Sequence, residues 1–171
     1  GGRDAEFLVE EPIYEPMLRQ AERVGRVRRL PRRADQGWAL DLESAQEALG
    51  PNTTAVLLTE PHNPSGVFAP REQVLALAEM AAAQDAVLLI NEVYRGFADR
   101  PSYHGVADNV VVVSSLSKIC GAYALRLGWL SGAPDLVVRF RRAAMNYSMP
   151  AAPSAALGLS LLRDIDTYVA A

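Results

Sequence analysis

Residues Asn109 to Lys118 read NVVVVSSLSK, an unbroken run of valines followed by serines, a leucine and a lysine. Continuous β-branched runs of this kind are typical of strands covered on both faces of a sheet. Two other runs share the character, TAVLLT at Thr54–Thr59 and AVLLIN at Ala86–Asn91. Between them, Pro70 is predicted at the first helical position of a segment with an apolar stripe formed by Val74, Leu77, Ala78 and Ala81. This alternation predicts a three-layer αβα fold of the α/β class with a mostly parallel sheet.

The remaining periodic segments extend the same pattern. Further strands are predicted for AEFLVE (5–10), RVRRL (26–30) and ALRLGWLSG (124–132). Further helices are predicted for MLRQAERV (17–24), DLESAQEAL (41–49) and PDLVVRFRRAAMNY (134–147), the first ended by Gly25 and the second capped by Asp41. A last helix has Leu161, Leu162, Ile165 and Val169 on one side and shows no C-terminal cap, so we expect a chain cut from the middle of a larger protein.

Composition and charge exclude several classes of function. The chain has 171 residues, of which 50% are hydrophobic and 22% charged, as in an ordinary globular domain. Its net charge of -3 argues against nucleic acid as a partner, and the arginine-rich run RVRRLPRR (26–33) is interpreted as a solvated edge strand and turn. Cys120 is the single cysteine, which rules out an internal disulfide and fits a reducing compartment.

Two further classes of site are not expected. No apolar run resembles a signal peptide or is long enough to cross a bilayer, so we predict a cytoplasmic protein with no membrane partner. His62 and His104 lack a companion at ligand spacing, so we predict no metal site.

Polar side chains follow several of the predicted strands at the point where each strand ends. In an open α/β sheet, ligands bind beyond the carboxyl ends of the strands, in the loops that follow. Five residues fall at or just after the ends of apolar runs: Asn63, Asn91, Tyr94, Ser115 and Lys118. The sequence therefore predicts that these five side chains converge on one rim of the sheet.

Lys118 is the only lysine in the chain, although the sequence contains 17 lysines and arginines in total. An amine condenses with an aldehyde only when it is unprotonated, so a catalytic lysine needs partial burial or a neighbouring positive charge. Arg126, eight residues further along, is a candidate for that charge. The alternative is a solvated surface lysine. That alternative leaves unexplained why arginine, which cannot act as an imine-forming amine, was not used here as it was elsewhere.

Four motifs now point to one family. The segment SSLSK, with an arginine eight residues later in LRLGW, resembles the lysine segment of the class I/II aminotransferases, pyridoxal-phosphate (PLP) enzymes of fold type I. PHNPSG resembles their Asn-Pro-(Thr/Ser)-Gly turn, NEVYRGF their Asp-Glu-x-Tyr segment, and EPIYEP their Pro-x-(Tyr/Trp) stacking loop. Each motif alone is weak, but the four in order are specific. The resemblance runs from about Glu6 to the end of the chain.

The resemblance implies roles for particular residues. Lys118 would hold the cofactor as a Schiff base and would then carry the proton of the substrate Cα. Arg126 and Ser115 would bind the cofactor phosphate, since a guanidinium fork suits a dianion and a hydroxyl adds a hydrogen bond. Asn63 and Tyr94 would donate to the 3-oxygen of the cofactor ring, Tyr14 would stack on the ring, and Ser117 would shape the turn.

Asn91 departs from the family pattern. The family places an aspartate under the pyridine nitrogen, where its carboxylate keeps that nitrogen protonated and able to accept electrons. An asparagine carries no charge, and Glu92 is a poor substitute because neighbouring strand residues point to opposite faces. The resemblance implies that Asn91 lies at the cofactor-binding position. The missing charge implies that the cofactor would bind but would accept electrons less readily.

The resemblance also sets the expected domains, partners and alternatives. Residues 1–150 would form the PLP-binding core of the large domain, and residues 151–171 would start a helix leading towards a C-terminal small domain. The implied reaction transfers an amino group between an amino acid and a 2-oxo acid, and a homodimer is the expected assembly. Two alternatives remain open: a lyase, decarboxylase or synthase of the same superfamily, and a non-catalytic PLP-binding remnant or sensing module.

Overall fold

A computed structural model describes residues 5–144 and 150–165 of the chain. Within these residues the strands are β1 Glu6–Glu11, β2 Arg26–Pro31, β3 Thr53–Thr59, β4 Val87–Asn91, β5 Val110–Ser115 and β6 Gly128–Gly132. The α-helices are α1 Glu15–Val24, α2 Leu42–Ala48, α3 Arg71–Ala82, α4 Leu116–Ile119, α5 Pro134–Ala144 and α6 Ala152–Arg163. Three 3₁₀ turns complete the regular structure, at Ala34–Gln36, Arg95–Phe97 and Tyr123–Leu125.

The six strands form one mixed sheet in the order β2-β1-β3-β4-β5-β6. The first five strands in this order are parallel, and β6 pairs with β5 in the antiparallel direction. The arginine-rich β2 lies at one edge, as the sequence predicted. Because β1, β3, β4 and β5 run in the same direction, their carboxyl ends meet at one rim of the sheet.

Helices pack on both faces of the sheet, which confirms the layered α/β fold. On one face, α2 and α3 cover a large apolar cluster that includes Leu58, Leu77 and Leu88. On the other face, α1 places Ala21 against Val9 and Leu57. This second cluster is much smaller, and Val87 and Leu89 of β4 are only partly buried while Leu88 and Ile90 are buried. The expectation that this run is fully covered on both faces therefore does not hold for β4 within the described residues.

Some predicted boundaries change in the structure. The strand predicted for residues 124–132 is wrong in its first half, since β6 begins only at Gly128. Arg126 has a φ of 54°, a left-handed conformation that a strand cannot contain, and it follows the 3₁₀ turn Tyr123–Leu125. Helix α3 begins at Arg71, with Pro70 as its N-cap. The predicted helical positions Tyr147 and Val169 lie outside the described residues.

A buried ionic cluster crosses the ends of three strands. Nη1 of Arg32 lies 2.9 Å from Oε2 of Glu10 and 3.3 Å from Oε1 of Glu60, and all three side chains are buried. Nε of Arg32 donates to the carbonyl of Trp38 at 2.7 Å. Burial raises the pKa of both Glu10 and Glu60 to about 7, although the charge of Arg32 lowers both values in part. The cluster thus holds two carboxyl groups around one guanidinium.

Candidate active site

A cleft of about 390 Å³ opens at the carboxyl ends of the parallel strands. The structure brings together in this cleft all seven residues singled out from the sequence: Tyr14, Asn63, Asn91, Tyr94, Ser115, Lys118 and Arg126. Asn91 and Ser115 end β4 and β5, and Tyr94 and Lys118 follow those two strands. Tyr14 and Asn63 lie in the loops after β1 and β3, and Arg126 lies just before β6. The rule for ligand positions in open α/β sheets accounts for this convergence.

The short helix α4 carries Lys118 at the end of β5. Ser115 caps this helix, its Oγ accepting the backbone N–H of Ser117 at 3.3 Å. The helix packs closely on the turn after β4, where a Cβ added to Gly96 would lie 2.6 Å from Cγ2 of Ile119. A side chain at position 96 would clash with the Ile119 side chain, so this glycine permits the close packing of α4 on the β4 loop.

Lys118 lies beside an aromatic residue of that loop. Its Nζ is 5.6 Å from the centroid of the Tyr94 ring. Lys118 is an exposed residue, so the burial considered from the sequence is not found. Arg126 lines the same cleft and is also exposed. A second positive charge, the other candidate for activating the amine, is therefore present in the cleft.

The backbone at Arg126 explains how this side chain reaches the cleft. The left-handed residue ends the turn Tyr123–Leu125, and one guanidinium N–H donates to the Tyr123 carbonyl at 3.3 Å. Ser115 faces the cleft with a hydroxyl that accepts a hydrogen bond from Ser117. Because that contact uses only a lone pair, the hydroxyl proton of Ser115 can be donated to a ligand. Together the two side chains offer donors suited to an anion.

Asn91, the last residue of β4, presents a donor rather than a charge. Its Oδ1 accepts the backbone N–H of Val93 at 3.0 Å, which fixes the orientation of the amide. Its Nδ2 points the other way and lies 3.2 Å from Sδ of Met17. The half-buried side chain lines the cleft, and its amide is held by these two contacts.

The side chain of Glu92 does not line the cleft that contains its neighbour Asn91. Its buried side chain accepts the backbone N–H of Tyr103 at 2.7 Å, the hydroxyl of Ser102 at 2.8 Å and Nε of Arg95 at 2.9 Å. All of these partners belong to the segment between β4 and β5. Glu92 therefore holds that segment in place and does not line the cleft.

Sequence reasoning missed part of the cleft wall. Tyr123, with 69% of its surface exposed, lines the cleft, as do Val93, Val113 and Ser114. Ser117, interpreted only as a turn-shaping residue, also lines it. Tyr123 directly precedes the segment predicted as a strand (124–132), and the nearest turn signal in the sequence is Gly121. Val113 and Ser114 lie near the carboxyl end of β5, where their exposure depends on which face of the sheet the helices leave open, and Val93 lies in the loop after β4.

Residues 5–144 and 150–165 contain neither a cluster of metal ligands nor a membrane-spanning helix. No group of three or more histidine, cysteine or acidic side chains there is arranged to hold a metal ion. In the same part of the chain, no helix combines the length and the apolar character needed to cross a membrane.

The cleft at the rim of the mixed α/β sheet thus brings together one lysine, one arginine and three tyrosines. The profile of the family described as aminotransferase class I and II matches residues 2–170. The chain belongs to this family.

Named relatives match the chain over part of their own length. A probable N-succinyldiaminopimelate aminotransferase, DapC, of Mycobacterium tuberculosis is 29% identical over 98% of this chain and 45% of its own. The arginine–pyruvate transaminase AruH of Pseudomonas aeruginosa is 32% identical over 85% of this chain and 39% of its own. A crystal structure of a PLP-dependent aminotransferase from Streptococcus suis shares the fold, with a TM-score of 0.88 at 24% identity over 96% of this chain and 45% of that one. The chain thus spans less than half the length of these proteins.

Proposed function

We propose that this chain is the PLP-binding large domain of an aminotransferase and that Lys118 binds the cofactor covalently. The observation that carries the proposal is the position of the single lysine, in a rim cleft beside Tyr94 and Arg126. The lysine is the only residue type in the cleft that can form an imine with an aldehyde.

The residues of the cleft fit the chemical groups of PLP. A phosphate needs charged and hydrogen-bonding donors, which Arg126 and Ser115 supply. An aromatic ring needs a flat apolar partner and donors near its edge, and Tyr14, Asn63 and Tyr94 are of the right kind. A cleft of about 390 Å³ has the volume of an ordinary small-molecule site. The assignment of these roles is part of the proposal.

When bound, PLP supplies an aldehyde that condenses with amines and a ring that accepts electrons from the substrate Cα. The chain's own part is to hold the cofactor and to move protons. The Lys118 amine, when unprotonated and free, would be the base that takes the proton from the substrate Cα and later gives it back. Tyr94, beside Nζ, restricts where the amine can point.

The proposed reaction is amino transfer between an amino acid and a 2-oxo acid. The names of the two curated relatives specify different amino donors, so the proposal stops at these substrate classes. A cytoplasmic location is part of the same proposal and is supported by the lone Cys120.

Asn91 favours a second candidate function, PLP binding with little or no transamination. An aspartate would present an anion to the ring nitrogen, whereas Asn91 is neutral and, with Oδ1 already accepting the Val93 N–H, would offer the ring an Nδ2–H donor. A donor pairs with an unprotonated nitrogen, which is the weaker electron acceptor. We therefore propose that any transamination by this chain is slow.

We further propose that the chain forms a homodimer. Leu157, Leu159 and Leu162 of α6 are 57%, 59% and 42% exposed, and exposed apolar side chains promote association. Sedimentation velocity over a range of concentrations tests this part. A monomer at every concentration contradicts it.

Adding PLP to the purified chain tests the main proposal. We expect an absorption band in the violet that persists after desalting, and an adduct on Lys118 after borohydride reduction and mass spectrometry. Lys118→Ala should lose both signals, while Arg163→Ala, an exposed change on α6, should keep them. A folded chain without the band or the adduct contradicts the proposal. A band without conversion of amino acid to 2-oxo acid favours the second candidate.

A further inference from the structure

His62 joins the two loops that carry Tyr14 and Asn63. It is 1% exposed, and its Nε2 lies 2.8 Å from the carbonyl oxygen of Pro12 in the loop between β1 and α1. Its Nδ1 lies 2.7 Å from Oγ of Ser65 in the turn after β3. Within the part of the chain that the structure describes, this imidazole makes the only side-chain hydrogen bond between the two loops.

The partners of the ring determine its protonation state. The Pro12 carbonyl can only accept, so Nε2 carries a proton. The Ser65 hydroxyl accepts the backbone N–H of Val67 at 3.3 Å and can donate its own proton to Nδ1. Burial lowers the pKa of His62, as does the charge of Arg32, while the bond to Pro12 raises it. Every polar atom in this arrangement is satisfied by a neutral imidazole.

The surroundings hold the ring in place. The Trp38 ring packs on it with a centroid distance of 5.5 Å and an interplanar angle of 39°. The Trp38 carbonyl in turn accepts a hydrogen bond from Nε of the buried Arg32. The turn that contains His62 is closed by its own backbone bonds, Gly66 N–H to the His62 carbonyl at 2.7 Å and His62 N–H to the Val67 carbonyl at 2.9 Å.

The position of His62 couples both loops to the cleft. Asn63 follows it directly, and Tyr14 is two residues beyond Pro12, so both cleft residues lie next to an anchored position. The ring itself does not line the cleft. His62 can therefore affect a ligand in the cleft only through the two loops. A loop that is no longer anchored by His62 has more conformations, and it must give these up when the ligand binds.

We propose that His62 is a positioning residue that, as a neutral imidazole protonated on Nε2, holds the Tyr14 loop and the Asn63 turn at their places in the cleft. This inference rests on the proposed function where it concerns PLP, but the joining of the loops is a property of the chain alone.

Two variants and one control separate positioning from general stability. His62→Phe keeps a planar ring but removes both ring nitrogens, and leaves the Pro12 carbonyl without its donor. His62→Gln places an amide N–H near the position of Nε2. His104→Phe changes an exposed histidine and serves as the control.

Hydrogen exchange without cofactor is the first measurement. We expect His62→Phe to accelerate exchange in residues 11–15 and 62–66 while β4 and β5 stay protected, with the control like the parent chain. Nitrogen-15 shifts of the parent chain should show a protonated Nε2 and an unprotonated Nδ1 on His62. Unchanged exchange in both loops, or the opposite tautomer, overturns the proposal.

PLP binding to Lys118 is the second measurement. If PLP binding needs the loop in the position that this bond holds, losing the bond lowers the affinity by up to roughly tenfold. We expect His62→Phe to show this loss and His62→Gln to recover most of it. Equal affinity for the parent and the Phe variant overturns the link to the cleft. If the parent chain does not take up PLP, the proposed function fails, while the exchange experiment still decides the role of His62.

Discussion

Replacing Asn91 by aspartate tests how this chain would treat the ring nitrogen of its cofactor. Asn91→Asp keeps the size of the side chain, and an aspartate oxygen can still accept the Val93 N–H that Oδ1 accepts at 3.0 Å. The change removes the Nδ2 contact with Met17, which is a weak bond to sulfur. The new group at the cleft is a carboxylate oxygen in place of an amide donor.

The expected size of the effect follows from this geometry. A hydrogen bond to a charged group contributes about 1.5–3 kcal/mol, and about 1.36 kcal/mol corresponds to one pKa unit. The carboxylate of the variant should therefore raise the pKa of the cofactor ring nitrogen by roughly 1 to 2 units relative to the parent chain. Because protonation of that nitrogen strengthens its ability to accept electrons, single-turnover conversion of an amino acid should accelerate, on the order of tenfold.

The assay uses PLP labelled with nitrogen-15 at the ring, bound to the parent chain, to Asn91→Asp and to Asn52→Asp. Asn52 is exposed and does not line the cleft, so the last variant controls for the added charge. The pH midpoint of the ring-nitrogen shift gives the pKa, and rapid mixing with an amino acid gives the rate. If Asn91→Asp binds PLP as the parent does but changes neither the midpoint nor the rate, the reasoning about the Asn91 amide is wrong.

Three further changes test the fold around the cleft. Gly96→Ala should destabilise the chain by about 1–3 kcal/mol in urea unfolding and weaken PLP uptake, because the new Cβ would lie 2.6 Å from Cγ2 of Ile119 in α4. Gly50→Ala, where no atom lies within 4 Å of the new Cβ, should change neither stability nor uptake. Burial raises the pKa of Glu60 to about 7 from an ordinary value of 4.5, so between these pH values the folded chain keeps a proton that the unfolded chain loses. The free energy of unfolding therefore falls as the pH rises towards 7. Glu60→Gln should therefore reduce the fall in unfolding free energy between pH 5 and 7 relative to the parent, and an equal slope in both proteins would count against a raised pKa. Arg32→Met leaves two buried carboxyl groups without their partner and should lower the free energy of unfolding by about 3–5 kcal/mol at neutral pH. The exposed Arg33→Met should change it little. A small loss for Arg32→Met would mean that both carboxyl groups are already protonated.

The sequence predicted the cleft well because its residues follow strands that are recognisable one at a time. Lys118 and Asn91 directly follow or end apolar runs, and the rule that parallel strands end at one rim brings them together without knowledge of any contact. The edge position of the arginine-rich strand followed from its composition in the same way. These inferences depend on local pattern and on one topological rule.

Other features depend on contacts between distant segments and were not predictable. The left-handed residue Arg126 interrupts an apolar segment that reads as a continuous strand, and no glycine stands at that position to signal the turn. His62 was considered only as a metal ligand, and its bonds to Pro12 and Ser65 require the Pro12 carbonyl, 50 residues earlier, to lie beside it. The exposure of Lys118 likewise depends on which surfaces surround the finished cleft.

The openness of the cleft links the proposed cofactor and the proposed homodimer. Tyr14, Lys118, Tyr123 and Arg126 line the cleft and are all exposed in the single chain. A charged amine and guanidinium that face water bind an anionic cofactor less tightly than the same groups shielded from it. If a second copy covers the cleft, PLP binding and dimerisation must strengthen each other by the same factor, since coupling between two binding equilibria is reciprocal. We expect PLP to lower the dimer dissociation constant by about fivefold or more, measured by sedimentation equilibrium with and without cofactor, and Lys118→Ala to show no such effect. A PLP affinity that stays constant across the monomer–dimer transition would instead show that one chain completes its own site.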